Sequence, residues 1–173
     1  GDFVRIGDVE GTVTGVGMLS TKVKTPFREE LTIPNSVVMS TVTTNYSRLH
    51  ASEGVFVSTS VTIGYGVPWR QVHALLLLAA ERTTGIRREP TPKVRQTGLR
   101  DSYVEYTLLV SVENPSMRIP VLDALHQNIQ DAFNEFGVQI MAPNYEGDPD
   151  GPKIVPPEKW FAAPAAAPTP PER

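Results

Sequence analysis

Short apolar runs with a period of two fill the first fifty residues. Phe3-Val4-Arg5-Ile6 alternates and stops at the turn pair Gly7-Asp8. In the next run Val9, Gly11, Val13 and Gly15 fall on one face, and Glu10, Thr12, Thr14 and Val16 on the other. Thr21 to Thr25 stops at Pro26, Leu31-Thr32-Ile33 stops at Pro34-Asn35, and a last run covers Thr41 to Tyr46. Five strands without a helical period predict a small antiparallel barrel or sandwich over residues 1–48.

The period changes after a linker at 49–54. Val55 to Ile63 alternates as one long strand, and Gly64-Tyr65-Gly66 turns the chain. Pro68 then suits a first helical position. Trp69, Val72, Leu75, Leu76, Ala79 and Ala80 recur at spacings of three and four, and Thr83-Thr84-Gly85 ends that helix. A short strand holds Val94 and Gln96, and a long one runs from Tyr103 to Val112. Pro120 opens a second helix with Ser116 as its candidate cap. Leu122, Leu125, Ile129, Ala132, Phe133 and Phe136 form its buried face, and Gly137 is a left-handed stop. Val138-Gln139-Ile140 is expected to close as a strand. The order β-α-β-β-α-β over 55–145 is that of a ferredoxin-like domain.

From Pro149 onward eight of the last 25 residues are proline, so residues 146–173 read as a Pro/Ala-rich, flexible tail. Its Trp160-Phe161 pair either docks on a surface or is solvated in a disordered segment, and the sequence leaves both open. The longest apolar run is the seven residues Ala74 to Ala80, against about 20 for a bilayer-spanning helix. Gly1 opens directly into a β pattern where a natural chain starts with Met, which predicts a soluble region cut from a longer protein.

Composition narrows the chemistry further. The 173 residues carry 16 Lys+Arg against 19 Asp+Glu, and 40% are hydrophobic, enough for a folded core. With no cysteine there is no disulfide framework, thiolate metal site or cysteine nucleophile. His50, His73 and His126 lack metal-ligand spacing, and no Gly-x-Ser-x-Gly elbow anchors a hydrolase. Gly11, Gly15 and Gly17 precede no helix and no Lys-Ser/Thr, so they read as bends rather than a phosphate cradle. Asp148-Pro149-Asp150-Gly151 lacks the closing Glu of a calcium loop. An enzyme with an interdomain cleft would lack any recognisable nucleophile, metal set or cofactor loop, so the expectation is no enzyme, no cofactor and no metal.

One local basic run, Arg87, Arg88, Lys93, Arg95 and Arg100, supports an alternative, an RNA-binding module on a ferredoxin-like sheet. Phe56, Tyr103 and Tyr106 would be its stacking residues. The two tyrosines are three apart and so face opposite ways, and the near-neutral charge argues against phosphate-driven binding. Nucleic acid is therefore not expected as a partner.

An ordered series of short motifs points elsewhere. Gly1-Asp2-Phe3-Val4-Arg5-Ile6, Gly11-Thr12-Val13, Ser20-Thr21, Ile33-Pro34-Asn35 and Asn45-Tyr46-Ser47-Arg48 together resemble the soluble β-domain of small-conductance mechanosensitive channels. The resemblance continues through Val61-Thr62-Ile63-Gly64-Tyr65 and the closing Gly137-Val138-Gln139-Ile140-Met141-Ala142-Pro143. It departs at Gly66-Val67-Pro68-Trp69, where relatives often carry an acidic residue, and at the end, where only Ile154-Val155 could supply a closing barrel strand.

The resemblance implies an α+β region, an Sm-like β module followed by the ferredoxin-like domain. It implies a homo-heptamer of identical subunits on the cytoplasmic side of the inner (plasma) membrane. Membrane contact would come only through segments upstream of Gly1. The region would form a vestibule below the pore, crossed by ions and small solutes, in a channel protecting against osmotic shock. Family-motif and subunit-junction residues would be Gly1, Asp2, Gly11, Thr21, Pro34, Asn35 and Asn45. Portal lining would fall on Arg48, His50 and Glu53.

Overall fold

The computed structural model describes residues 1–48, 54–140 and 155–166. The chain divides into two compact units, Gly1–Phe56 with Val112–Pro120, and Val57–Ser111 with Val121–Arg173.

In the first unit, β1 (Phe3–Ile6), β2 (Val9–Val16), β3 (Ser20–Lys24), β4 (Glu30–Pro34) and β5 (Thr43–Asn45) form one sheet, ordered β4-β3-β2-β1-β5. All four pairings are antiparallel, and β2 carries a bulge between Val13 and Gly15. Alternation places Val4, Ile6, Val23 and Ile33 in a small core, with Val9, Val13 and Val38 packed against it. One element was not anticipated. A short helix, α1 (Asn35–Ser40), follows β4 and leaves β5 only three residues of the run expected over 41–46. Six residues are too few to display a helical period. Val37 and Val38 divide between solvent and core, with only Val38 packing inward.

The second sheet has the order β6-β8-β7, from β6 (Val55–Gly64), β7 (Lys93–Leu99) and β8 (Tyr103–Val112). Helix α2 (Trp69–Arg82) buries Val72, Leu75, Leu76, Ala79 and Ala80. Helix α3 (Arg118–Glu135) buries Val121, Leu125, Ile129, Ala132 and Phe133. Thr83 Oγ1 donates to Ala79 O at 2.7 Å and accepts from Asn128 Nδ2 at 3.0 Å, which ties the end of α2 to α3.

Three local expectations change in the structure. Helix α3 begins two residues before Pro120, behind a 3-10 turn at Pro115–Met117. The cap is Asn114, whose Oδ1 accepts from the Ser116 backbone N–H at 3.0 Å; Ser116 itself donates a second bond to it. With that start Val121 takes the inward position, while Leu122 and Phe136 are half-buried. Finally, no strand forms at Val138–Ile140. Gly137, at φ +66°, turns the chain, and Val138 N–H is taken by Phe133 O at 2.9 Å, so it has no donor left for a ladder. Among the described residues the element order is thus β-α-β-β-α.

Candidate functional site

Most of the described residues singled out in the first fifty positions sort into two clusters at one end of the first sheet, where β1 begins, β2 ends, β3 begins and β4 and β5 end. The first cluster is built on Asn35. Its Oδ1 accepts from Thr21 Oγ1 at 2.9 Å, and its Nδ2 donates to Gly17 O at 2.9 Å and Met18 O at 3.1 Å. Its backbone N–H donates to Leu19 O at 2.9 Å. Pro34 stands at the cap of α1 and fixes the entry of that helix. Asn35 therefore pins the β2–β3 turn to the first turn of α1.

The second cluster is built on Asn45. Its Nδ2 donates to Asp2 Oδ2 at 2.7 Å, and its Oδ1 accepts the backbone N–H groups of Ser47 and Arg48, each at 2.9 Å. Phe3 N–H donates to Ser47 Oγ at 2.9 Å, and the Gly1 amino group donates to Val13 O at 2.7 Å. Gly11 belongs to neither cluster. It is buried in mid-strand, where a Cβ would lie 2.4 Å from Lys24 O. Arg48 is exposed; His50 and Glu53 lie outside the described residues.

What these pins hold in place is apolar and exposed. Val16 at the end of β2 is 76% exposed, Met18 and Leu19 on the β2–β3 turn are 97% and 85%, and Met39 on α1 is 88%. A single exposed leucine needs no explanation, but several on segments locked together by side-chain hydrogen bonds do. Sequence reading missed this patch, because Met18-Leu19 sits in a turn and has no strand period.

The first unit also holds a contact no local motif announces. Arg118 Nη1 donates to Glu10 Oε1 at 2.8 Å, and its guanidinium lies 4.0 Å from the Tyr46 ring centroid. Arg118 Nε is buried without a hydrogen-bond partner.

In the second unit Tyr103 and Tyr106 do face opposite ways. Tyr106 is 2% exposed among the buried positions of β8. The other face of the sheet carries hydroxyls: Thr107 Oγ1 lies 2.8 Å from Ser60 Oγ and 3.0 Å from Thr97 Oγ1. Of the three candidate stacking residues only Tyr106 is buried; Phe56 is 40% exposed and Tyr103 half-buried, beside these Ser and Thr hydroxyls. From the basic run, Arg100 is paired with Glu105 at 3.6 Å. His126 Nε2 lies 2.8 Å from Thr59 Oγ1, and His73 is wedged edge-on between Trp69 and Tyr106. Burial lowers the pKa of His73, so its ring is neutral at pH 7. Among the described residues no group of His, Asp or Glu is placed to hold a metal, and no helix is long and apolar enough to cross a membrane.

Burial, with a smaller push from Tyr65, raises the Tyr106 phenol to about 12. A phenol in an unfolded chain ionises near 10. The raised value means that the stabilisation is complete below pH 10 and fades as pH climbs to about 12. Ultraviolet titration should accordingly show a phenol step well above the ordinary value near 10, with unfolding free energy falling over the same interval. Tyr106→Phe should abolish the late step; persistence of that step in the variant would assign it elsewhere.

Two family models match the chain in succession. Residues 1–48 match the mechanosensitive ion channel β-domain, and residues 57–140 match the C-terminal domain of the mechanosensitive ion channel MscS. The chain belongs to the MscS family of mechanosensitive channels. The motif series from Gly1 to Arg48 lies wholly within the β-domain match.

Among curated relatives, an uncharacterized MscS family protein of Haemophilus influenzae is 29% identical over 140 residues, covering 81% of this chain and 12% of that protein. The miniconductance mechanosensitive channel MscM of Escherichia coli is 26% identical over 150 residues, covering 84% and 13%. This MscS-family region therefore spans about an eighth of the length of the curated relatives it matches. In fold it is similar to the closed state of Helicobacter pylori MscS, with a TM-score of 0.70 at 17% identity over 88% of this chain and 59% of that one.

Proposed function

We propose that this region is the cytoplasmic part of a tension-gated channel of small conductance. Identical copies assemble as a heptamer into a vestibule below the pore, where solutes are screened and where the full-length protein protects the cell against osmotic shock. An Sm-like first module and a ferredoxin-like second one fit this reading, and no catalytic step is required of either. Tension favours the state with the larger in-plane area and acts on membrane-embedded segments, so the task left here is to hold subunits in register.

The observation that carries the proposal is the apolar patch on the β-domain. A unit with a small core around Val4, Ile6, Val23 and Ile33 keeps Val16, Met18, Leu19 and Met39 in water. Leaving such side chains exposed forgoes about 1.5–3 kcal/mol apiece relative to full burial, which contact between copies would recover. Asn35 and Asn45 then act as junction residues by shaping that face, with Gly1, Asp2, Gly11, Thr21 and Pro34 supporting it. Arg48, with His50 and Glu53, lines the portals and sets their charge.

The test uses the full-length protein extracted in mild detergent. Native mass spectrometry should give a single heptameric species for the parent. Met18→Ser/Leu19→Ser/Met39→Ser should shift at least half of it to smaller species and reduce survival of hypo-osmotic shock. A monomeric parent, or submicromolar salt-sensitive RNA binding by it, would overturn the reading.

A further inference from the structure

The start of α2 is an aromatic corner, and part of the tail is seated on it. Arg70 places its guanidinium 4.3 Å from the ring centroid of Trp69, 4.9 Å from that of Phe161 and 5.6 Å from that of Trp160. One cation thus bridges a ring of α2 and two rings of the tail, each presenting its negative face to the charge. Next along the helix, Gln71 Nε2 donates to Ala163 O at 2.6 Å. The tail is shaped for this seat by its own contacts. A 3-10 turn at Pro157–Lys159 brings the Trp160 indole N–H back onto Val155 O at 3.0 Å, closing a compact loop.

Pro156 and Pro157 have no N–H to donate, and the indole occupies the Val155 carbonyl. Proline at those positions instead pre-sets the backbone, which lowers the ordering cost of docking on aromatic side chains. The segment fills the corner incompletely. A cleft of about 450 Å³ remains beside Tyr65, Trp69 and Tyr106, with Val155 and Trp160 as its outer wall. A second, of about 480 Å³, lies between Trp69, His73 and Leu77 on one side and Phe161 on the other. Trp160 itself is 44% exposed. A seat made of one cation, one amide and half-exposed rings opens at low cost compared with the core.

We propose that the head of α2 is a peptide-docking groove whose ligand is this chain's own proline-flanked Trp160–Phe161 segment, a releasable latch keyed by Arg70. The groove selects an aromatic pair held at fixed spacing by flanking prolines, and tethering gives that pair a high effective concentration. This goes beyond the channel reading and does not depend on it.

The experiment compares the whole chain with Arg70→Ala, Arg70→Lys and Trp160→Ala/Phe161→Ala. Hydrogen exchange at the Trp160 indole should be at least tenfold slower in the parent than in a synthetic peptide of residues 155–166. Arg70→Ala should remove most of that protection and speed proteolytic cleavage of the segment about tenfold, with thermal unfolding shifted by no more than a few degrees. Arg70→Lys should fall between the two. Added in trans, the peptide should bind the Trp160→Ala/Phe161→Ala chain, and a peptide lacking both rings should not. Indole exchange at the free-peptide rate in the parent would overturn the proposal. So would Arg70→Ala behaving as the parent, or failure of the peptide to bind the latchless chain.

Discussion

Gly11→Ala is expected to destabilise the first unit by about 3 kcal/mol, the upper end of the usual cost of inserting a methyl group into a packed site. The added Cβ would lie 2.4 Å from Lys24 O, and 2.9 Å from both the Lys24 carbonyl carbon and Val23 Cγ1. A side chain could rotate away from such a contact, but a strand backbone cannot. β3 would have to move, breaking the Thr12–Lys24 and Val13–Val23 register next to the cluster of Val4, Ile6, Val23 and Ile33. For a unit this small, each kcal/mol is worth roughly 4–8 °C in Tm, so a fall of more than 10 °C should appear in circular dichroism melts. Gly66→Ala is the control, because nothing lies within 4 Å of its added Cβ; it should stay within about 0.5 kcal/mol of the parent. Parent-like melting of Gly11→Ala would show that the strands separate there more freely than their spacing implies.

The second large effect is expected at Arg118→Ala, a loss of about 2–3 kcal/mol. A hydrogen bond to a charged partner contributes roughly 1.5–3 kcal/mol, and the ring contact about 0.5–2, against which the buried, unpaired Nε already costs something. Both ends of the ion pair are largely sheltered, with side chains 20% and 25% exposed, so the screening that makes surface pairs weak is reduced. Removing Arg118 also strands the Glu10 carboxylate in that setting. Lysine at 118 should recover less than half of the loss, because it keeps the charge but not the flat guanidinium on Tyr46. A double-mutant cycle with Glu10→Ala, read by urea unfolding, should give a coupling of about 1–2 kcal/mol. Simple additivity of the two single changes would show that the pair contributes nothing of its own.

The long elements were legible because each is dictated by its own neighbours in sequence. β8 runs over the residues its alternation indicates, and the buried face of α2 is the one its spacing of three and four predicts. Elements decided by few residues were not. α1 is too short to show a period, and the boundary of α3 turned on which of Asn114 and Ser116 reached the turn first. The strand expected at Val138–Ile140 failed because one N–H had two possible uses and the helix end took it. Of the candidate site, the motif residues were visible as motifs, yet their work was not. Nothing in Ile33-Pro34-Asn35 says that Asn35 will gather three carbonyls of the β2–β3 turn, two with its side-chain amide and one with its backbone N–H, and nothing in Met18-Leu19 says that this turn will be held open to water.

By itself the sequence determined the division into a β-rich first part and a mixed second part, the faces of the long helices and strands, and the family. Those depend on periodicity and motif order, which survive without knowledge of distant residues. Only the tertiary structure decided that Arg118 meets Glu10 across 108 residues, that Gly11 must lack a side chain because β3 passes against it, and that Arg70 collects the rings of Trp160 and Phe161 from the tail. The physical reason is the same in each case. Such contacts are chosen by which side chains are left facing one another once chain segments have packed, and that choice is made in space rather than along the chain.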